Sequence, residues 1–395
     1  MPIKELKPGV YSVGAVHPDR RLFDEIIPLP DGTSYNSYLI KGENKTALID
    51  AVDPTKQDVL ISNLRKLGVK EIHYIISNHA EQDHSGGIPL VLKEYPEAKV
   101  VTNMKCKEML KELLLIQEDR FTVIGDGDTL SLGGKNLKFI IAPWVHWPET
   151  MLTYLIEDSI LFSCDLFGSH LASDDYSTSF EADKLLKAAK RYYAEIMMPF
   201  RQHIKKHMEA LKKIKIEMIA PSHGPIYVKP DLILNAYKEW ISDNVKNIVV
   251  LPYVSMHGST LKIVEYLTKA LQQRRIEVKP HNLTSTDIGE LAMDLVDAAT
   301  VVLGSPAMLV GAHPSAFYAA YLINILRPKT KYISIIGSYG WGSRVVEQIE
   351  GLFTSIKPEL IEPVIVKGYP KKDDFEKIDQ LADQILTKHR ELNLL

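Results

Sequence analysis

The rhythm of apolar positions changes once along this chain, near residue 246. Ahead of that point short apolar runs alternate with turns and a few helices. Pro30-Asp31-Gly32 marks a turn, and residues 37–40 and 47–50 read as strands. Leu60, Leu64 and Leu67 recur at helical spacing over 56–67, with Gly68 as the stop. Tyr74-Ile75-Ile76 is a short buried strand, and 99–102 followed by 104–116 is a strand and helix. Gly125-Asp126-Gly127 and Gly133-Gly134 look like hairpin turns, and strands are expected over 137–142, 151–156, 160–163 and 216–220. Paired strands with interspersed helices predict an α/β layered sandwich rather than a doubly wound sheet.

After a helix over 232–245, with Asp231 as its N-cap, the pattern becomes regular. Strands over 248–251, 277–279, 300–303, 332–336 and 362–366 alternate with helices over 261–272, 291–296, 315–326, 345–355 and 375–387. Five such repeats imply a parallel sheet covered on both faces, a doubly wound domain. Two domains are therefore expected, 1–246 and 247–395.

Length and composition agree with this division. A chain of 395 residues exceeds one ordinary core, and 45% hydrophobic with 25% charged residues is typical of a globular protein. The formal charge of −3 offers no basic footprint for nucleic acid. Two cysteines, Cys106 and Cys164, are too few for a disulfide framework or a four-cysteine iron site. The first ten residues contain no apolar leader, and no uncharged run reaches the length of a membrane span. A cytoplasmic protein without a membrane partner is expected.

The chemistry is concentrated where strands end. Behind Tyr74–Ile76 comes Ser77-Asn78-His79-Ala80-Glu81-Gln82-Asp83-His84-Ser85-Gly86-Gly87, which puts four metal-ligand side chains into six residues. On an extended backbone His79, Glu81 and Asp83 would share one side, and the glycine pair would permit a tight turn into a helix. Three further strand ends deliver His146, Asp165 and His223, completing seven ligands that could hold two metal ions. Alternation points Cys164 into the core. His73, His170, His203 and His207 lack such a setting and read as surface or core residues.

In the second domain three loops share the carboxyl ends of the strands, where doubly wound sheets bind ligands. Ser255-Met256-His257-Gly258-Ser259-Thr260 opens a helix and can cradle a phosphate. Residues 304–310, with Ser305, Pro306, Ala307, Met308, Leu309 and Val310, follow the third strand. Gly337-Ser338-Tyr339-Gly340-Trp341-Gly342 follows the fourth and offers aromatics to a flat ring. Together these loops resemble the flavodoxin family, which binds FMN.

The first-domain ligands resemble the metallo-β-lactamase fold, whose first motif normally reads His-x-His-x-Asp-His. Glu81 replaces its second His. With that exchange, His146, the run Ser163–Gly168 and Ser222-His223-Gly224-Pro225, nearly the whole chain resembles the flavodiiron proteins. The resemblance implies a metallo-β-lactamase-like αββα sandwich followed by a flavodoxin-like sheet. It implies two non-haem irons, one held by His79, Glu81 and His146, the other by Asp83, His84 and His223, with Asp165 bridging. The His84 position turns away from the metal in parts of the family. Tyr193 resembles a family tyrosine near the diiron pocket. The turn Pro30–Asn36 is present, but Phe23–Ile27 stands where some members have His-Gly-Tyr. The second flavin loop lacks the polar side chains usual in the family, which leaves its flavin contacts to backbone.

The implied function is oxidoreduction: O₂ to water, NO to nitrous oxide, or both. The implied partners are a rubredoxin-type electron donor and a second copy of the chain, in a head-to-tail dimer or a dimer of dimers. The alternatives are a binuclear zinc hydrolase with an accessory flavodoxin-like domain, and a flavin electron carrier on a metal-free scaffold.

Overall fold

Alternation along the early strands builds two sheets and assigns each residue a side. In this computed structural model, which describes residues 3–173 and 175–395, Leu39, Leu48, Ile75 and Val100 lie on one face of a seven-stranded sheet. There they bury against Leu60 and Leu64 of helix Gln57–Lys66, Val91 of helix Ile88–Glu94 and Leu110 of helix Met104–Leu114. Their neighbours Tyr38, Ile40, Ile49, Ile76 and Val101 take the opposite face and meet Phe139, Met151, Leu155, Ile160 and Phe162 of a five-stranded sheet. Period-two side chains on strands buried from both sides thus produce the face-to-face sandwich.

The first sheet runs, in spatial order, through Lys4–Lys7, Val10–Ser12, Tyr38–Lys41, Thr46–Ile49, Tyr74–Ile76, Lys99–Thr102 and Phe121–Val123. The second runs through Thr129–Ser131, Asn136–Ile141, Met151–Leu155, Ile160–Cys164 and Met218–Pro221. The glycines at 125 and 127 connect the edge strand of one sheet to the edge strand of the other. This turn is therefore a crossover, not the hairpin that its composition suggested. Gly133 and Gly134, with φ of 82° and 71°, do close a hairpin.

The chain divides into two units. Residues 3–193 group with Phe200–Ile241, and Ser242–Leu395 with Ala194–Pro199. In the second unit the spatial order is Glu277–Asn282, Lys246–Tyr253, Ala298–Met308, Tyr332–Tyr339, then the last two strand pieces. Those neighbours pair in parallel. This 2-1-3-4-5 order is the flavodoxin-like one, with its switch point between the first and third strands.

Three elements depart from the pattern reading. The fifth strand is two pieces, Glu359–Leu360 and Val364–Lys367, on the same neighbour. Helix Val345–Glu350 stops at Gly351, short of residue 355. Strand Ala298–Met308 continues through residues expected as a loop, because Ala307 and Met308 find partners in Gly311–Ala312. No helix among the described residues is long and apolar enough to cross a membrane.

The end of the last helix, Lys372–Glu391, is tied to the sheet by one buried histidine. His389 Nδ1 bonds Asn247 Oδ1 at 2.7 Å, and Nε2 meets Thr300 Oγ1 at 2.8 Å. An amide oxygen only accepts, so Nδ1 carries the proton and Nε2 accepts from the hydroxyl. Burial lowers the pKa of His389 to about 4, whereas an unfolded histidine titrates near about 6.5. Between those values the unfolded chain binds a proton that the folded chain refuses, so stability falls as pH drops through that window and is complete above it. Hydrogen-exchange protection of the Lys246–Tyr253 and Ala298–Met308 amides should fall between pH 7 and pH 4.5, by an amount equivalent to roughly 2 kcal/mol. His389→Gln should lower protection at pH 7 and flatten this pH dependence. An equal slope in both proteins would assign the effect to other groups.

Candidate functional site

Strand Tyr74–Ile76 delivers its ligands into a short helical turn, Gln82–Ser85, which begins directly after Glu81. Asp83 and His84 ride on that turn, so the single extended side expected for residues 79, 81 and 83 is replaced by a bend. The glycine pair has a different role from the one its composition suggested. Gly86 and Gly87 have ordinary negative φ, of −61° and −78°. A Cβ on Gly86, however, would stand 2.4 Å from Gln82 O and 2.6 Å from Pro54 Cγ. Close packing, not a turn, requires glycine here.

The loop is pinned from outside. Asp50 accepts from Asn78 N and Nδ2, both at 2.8 Å, and Asn78 Oδ1 accepts from Thr153 Oγ1 at 2.7 Å. Residues Pro30–Asn36 supply the clamp for the His223 loop. Asn36 Nδ2 donates to Pro221 O and Gly224 O, both at 2.8 Å, Gly224 N donates to Ser34 Oγ at 2.7 Å, and His223 Nδ1 donates to Ser34 O at 2.7 Å. With Nδ1 so engaged, His223 Nε2 presents a lone pair to the centre.

All seven side chains converge. Glu81 Oε2 lies 3.1 Å from both His79 Nε2 and His146 Nε2. Asp83 Oδ1 lies 3.2 Å from His84 Nε2, and its Oδ2 lies 3.1 Å from His223 Nε2. Asp165 divides between the two groups. Its Oδ2 is 3.5 Å from His79 and His146, while its Oδ1 is 3.0 Å from His84 and 3.4 Å from His223. Atoms about 2.1 Å from one ion and set near right angles stand roughly 3 Å apart. Both oxygens of Asp83, both of Asp165 and Nε2 of His84 are buried without a hydrogen-bond partner. Orphaned buried acceptors facing imidazoles at this spacing fit two cations that share one carboxylate.

Electrostatics agree. Burial pulls the imidazole pKa values down, but the carboxylates outweigh it: Asp165 and Glu81 lift His146 to about 9, and Asp165 with Asp83 lifts His223 to about 10. Burial likewise raises Asp165, and the surrounding histidines drive it well below the carboxylate range. The pocket attracts positive charge, and metal binding there releases protons.

Behind His79 stands Glu149. Its Oε1 accepts from His79 Nδ1 at 2.6 Å and from Ala80 N at 3.0 Å, which orients Nε2 toward the centre. Asn103 Nδ2 holds the Glu149 carbonyl at 2.6 Å, and His207 Nε2 donates to Pro143 O at 3.1 Å, bracing the loop that carries His146. Nothing in the spacing of Glu149 or His207 distinguishes them from surface polar residues.

Three expectations need correction. Tyr193 is buried away from the ligands: its hydroxyl donates to Trp240 O at 3.2 Å, and its ring packs on Tyr237 and Trp240. Tyr192 takes the place beside the centre, its ring 5.7 Å from His223. His170 also stands there, 5.2 Å from His223, rather than in remote core. Cys164, at φ 50°, brings its sulfur within 4.8 Å of ligand atoms of His84 and Asp165. Burial raises its pKa well above the usual range, so without a cation beside it the thiol stays neutral.

In the second unit a cleft of about 190 Å³ is lined by Ser255, Met256, His257, Ser259, Thr260, Pro306, Ala307, Ser338, Tyr339, Gly340 and Gly368. Gly258 is at φ 88° with open space where a Cβ would be, at the start of the fifteen-residue helix Ser259–Gln273. Ser255 Oγ accepts from Gly258 N at 3.2 Å and Leu261 N at 3.1 Å, and the N–H groups of Ser259 and Thr260 at this helix start fit a phosphate. Other expected contacts fall elsewhere. Ser305 is buried with its Oγ accepting from His313 N at 3.0 Å, Met308 ends the strand, and Leu309 and Val310 form a hairpin tip with φ of 50° and 72°. Trp341 is 78% exposed, and it and Gly342 lie outside the cleft lining. Gly368, from the last strand end, was not foreseen.

A family model described as "ODP family beta lactamase" matches residues 33–224. The chain is 34% identical over 388 residues to the nitric oxide reductase of Moorella thermoacetica, covering 96% of this chain and 97% of that one. It is 30% identical to the flavo-diiron protein FprA2 of Clostridium acetobutylicum, covering 95% and 97%. Its structure matches rubredoxin oxygen:oxidoreductase from Desulfovibrio gigas with a TM-score of 0.95 over 100% of both chains, at 27% identity.

Loss of the Glu149 carboxylate should loosen the centre without unfolding it. Glu149→Ala is expected to weaken metal binding by about 10–100-fold in a chelator competition, with an unchanged circular dichroism spectrum. Equal affinity in the two proteins would refute an orienting role.

Proposed function

The chain belongs to the flavodiiron proteins, and from that premise we propose that it reduces O₂ to water, NO to nitrous oxide, or both, at a non-haem diiron centre served by FMN. The observation that carries this is the Asp165 carboxylate, whose two oxygens face two separate sets of imidazole and carboxylate ligands. His79, Glu81 and His146 would hold one iron, Asp83, His84 and His223 the other, and Asp165 would bridge. When bound, iron and FMN supply the redox chemistry: one O₂ takes four electrons, the number that two ferrous ions and one reduced flavin hold.

The residues of this chain set the conditions. One carboxylate in place of a histidine makes the ligand set harder, which suits iron. Glu149 and Ser34 O fix the orientation of His79 and His223, so the open side of the centre stays free for a small ligand. Tyr192 keeps its proton, since burial and the nearby Asp165 and Asp83 raise its pKa well above the usual value, leaving a neutral hydroxyl beside His223. In the second unit, the loop from Ser255 to Thr260 would take the FMN phosphate. Ser338, Tyr339 and Gly340 would flank its ring system. Hydrolysis at two zinc ions is the reading set aside, because a flavin cleft has no part in it.

Electrons would come from a rubredoxin-type protein, a donor named for the Desulfovibrio gigas relative. With two cysteines, the chain cannot itself carry a four-cysteine iron site. A head-to-tail dimer, or a dimer of dimers, is supported by apolar exposure at both places. Leu22, Ile26 and Trp144 are exposed on segments that carry Phe23 and His146, and Met256, Trp341 and Tyr369 are exposed around the flavin cleft. The formal charge of −3 supports no nucleic-acid partner, and the cytoplasm is the proposed location.

Metal analysis with a visible spectrum tests the assignment. Two irons and one flavin per chain, with O₂ or NO consumed under a reduced donor, are expected; zinc in place of iron without gas consumption would sink it. Glu81→His should lower retained iron while FMN content stays unchanged, and simultaneous loss of both would contradict separate sites. Turnover at full rate by a strictly monomeric preparation would remove the shared-site dimer.

A further inference from the structure

We propose that His170 is a ligand-binding residue of the diiron pocket, where its Nε2–H donates a hydrogen bond to the small molecule bound beside His223. This rests on the reading of that pocket as the place where O₂ or NO is reduced. The side chain is 5% exposed and is enclosed by three rings, Phe23 at 5.0 Å, Tyr192 at 4.8 Å and His223 at 5.2 Å between centroids. Its Nδ1 lies 3.0 Å from Thr33 Oγ1, and its Nε2 is buried with no partner among the described residues. A buried polar nitrogen left unmatched costs free energy unless something outside the protein completes it.

The hydrogen-bond network decides which nitrogen carries the proton. Thr33 Oγ1 lies 3.0 Å from His170 Nδ1 and 3.3 Å from Ser34 O, and its one proton serves one of them. Ser34 O already accepts from His223 Nδ1 at 2.7 Å. The shorter contact, to the more basic atom, takes the hydroxyl proton, so the imidazole proton sits on Nε2. No carboxylate bonds this ring. His170 is thus an N–H donor beside a pocket where charge develops on oxygen, an arrangement that stabilises an anion. None of the seven ligands can do this, since their inward atoms are lone pairs. Phe23, Tyr35 and Tyr192 also stand at His223, and of these the Tyr35 hydroxyl is likewise buried without a partner among the described residues.

Azide, an anion that accepts hydrogen bonds, is the probe, titrated into the diferric holoenzyme and followed by its charge-transfer absorption. His170→Leu should raise the azide dissociation constant about 10-fold, the usual effect of one hydrogen bond to a charged group. His170→Gln, whose amide nitrogen replaces Nε2, should restore it to within about 3-fold, and His170→Asn, whose amide replaces Nδ1, should not. Iron and FMN contents should match the wild type in all three. Unchanged affinity in His170→Leu overturns the proposal. Rescue by Asn rather than Gln also overturns it, because the effect would then pass through Thr33 and Ser34 to His223. Iron loss in all three variants does the same. Azide binding requires no turnover, so a protein that consumed neither gas would refute the functional reading and leave this measurement standing.

Discussion

Three carboxylates drawn together, two of them buried with acceptor oxygens that no protein donor satisfies, are the constraint from which the rest of the first unit follows. Glu81, Asp83 and Asp165 are held within reach of four imidazoles, two of which, His79 and His223, are fixed from behind. Uncompensated, such a cluster would cost several kcal/mol per charge. The fold tolerates it because each ligand sits at the end of a strand whose position is set by a continuous apolar interior between two sheets. Rigidity comes from the sandwich, and charge compensation comes from protons on the imidazoles or from the metal ions that displace them. Loops alone could not hold seven side chains in mutual contact against their repulsion.

Most of the architecture and all seven side chains that converge on the site were legible because each rests on a local signal. Period-two apolar runs located the strands, and polar residues at strand ends located His79, His146, Asp165 and His223. What was not legible depends on contacts across the fold. Glu149 is one glutamate among many until the second sheet brings it to His79 Nδ1. Tyr192 and Tyr193 are adjacent and identical in kind, and only helix phase decides that Tyr192 faces His223 while Tyr193 bonds Trp240 O. His170 looked like an ordinary histidine because its neighbours Phe23, Tyr192 and His223 are far away in sequence.

The flavin loops teach the same lesson at a strand edge. Residues after the third strand carry loop-like composition, yet pairing with Gly311–Ala312 extends the strand and turns Leu309 and Val310 into a hairpin tip. Non-glycine residues at positive φ, one of them β-branched, are sparsely populated conformations, and they occur here within the expected flavin-binding region. Tertiary pairing outweighed local preference, which is why, of the expected run from Ser305 to Val310, only Pro306 and Ala307 line the cleft.

The divided carboxylate of Asp165 also bears on how the centre fills. Each of its oxygens belongs to one half-site, so the two halves share this charge beside their own carboxylates, Glu81 and Asp83. An ion in one half withdraws electron density from the group the other needs, and it also orders that group. Occupancy of the halves is therefore thermodynamically linked, and whatever one ion does to the affinity of its neighbour, the neighbour does in return. The centre is one binding unit with two seats rather than two adjacent sites. A preparation with half its metal is then a mixture whose proportions report the sign of that coupling: mostly full and empty molecules if it is positive, mostly singly loaded ones if it is negative.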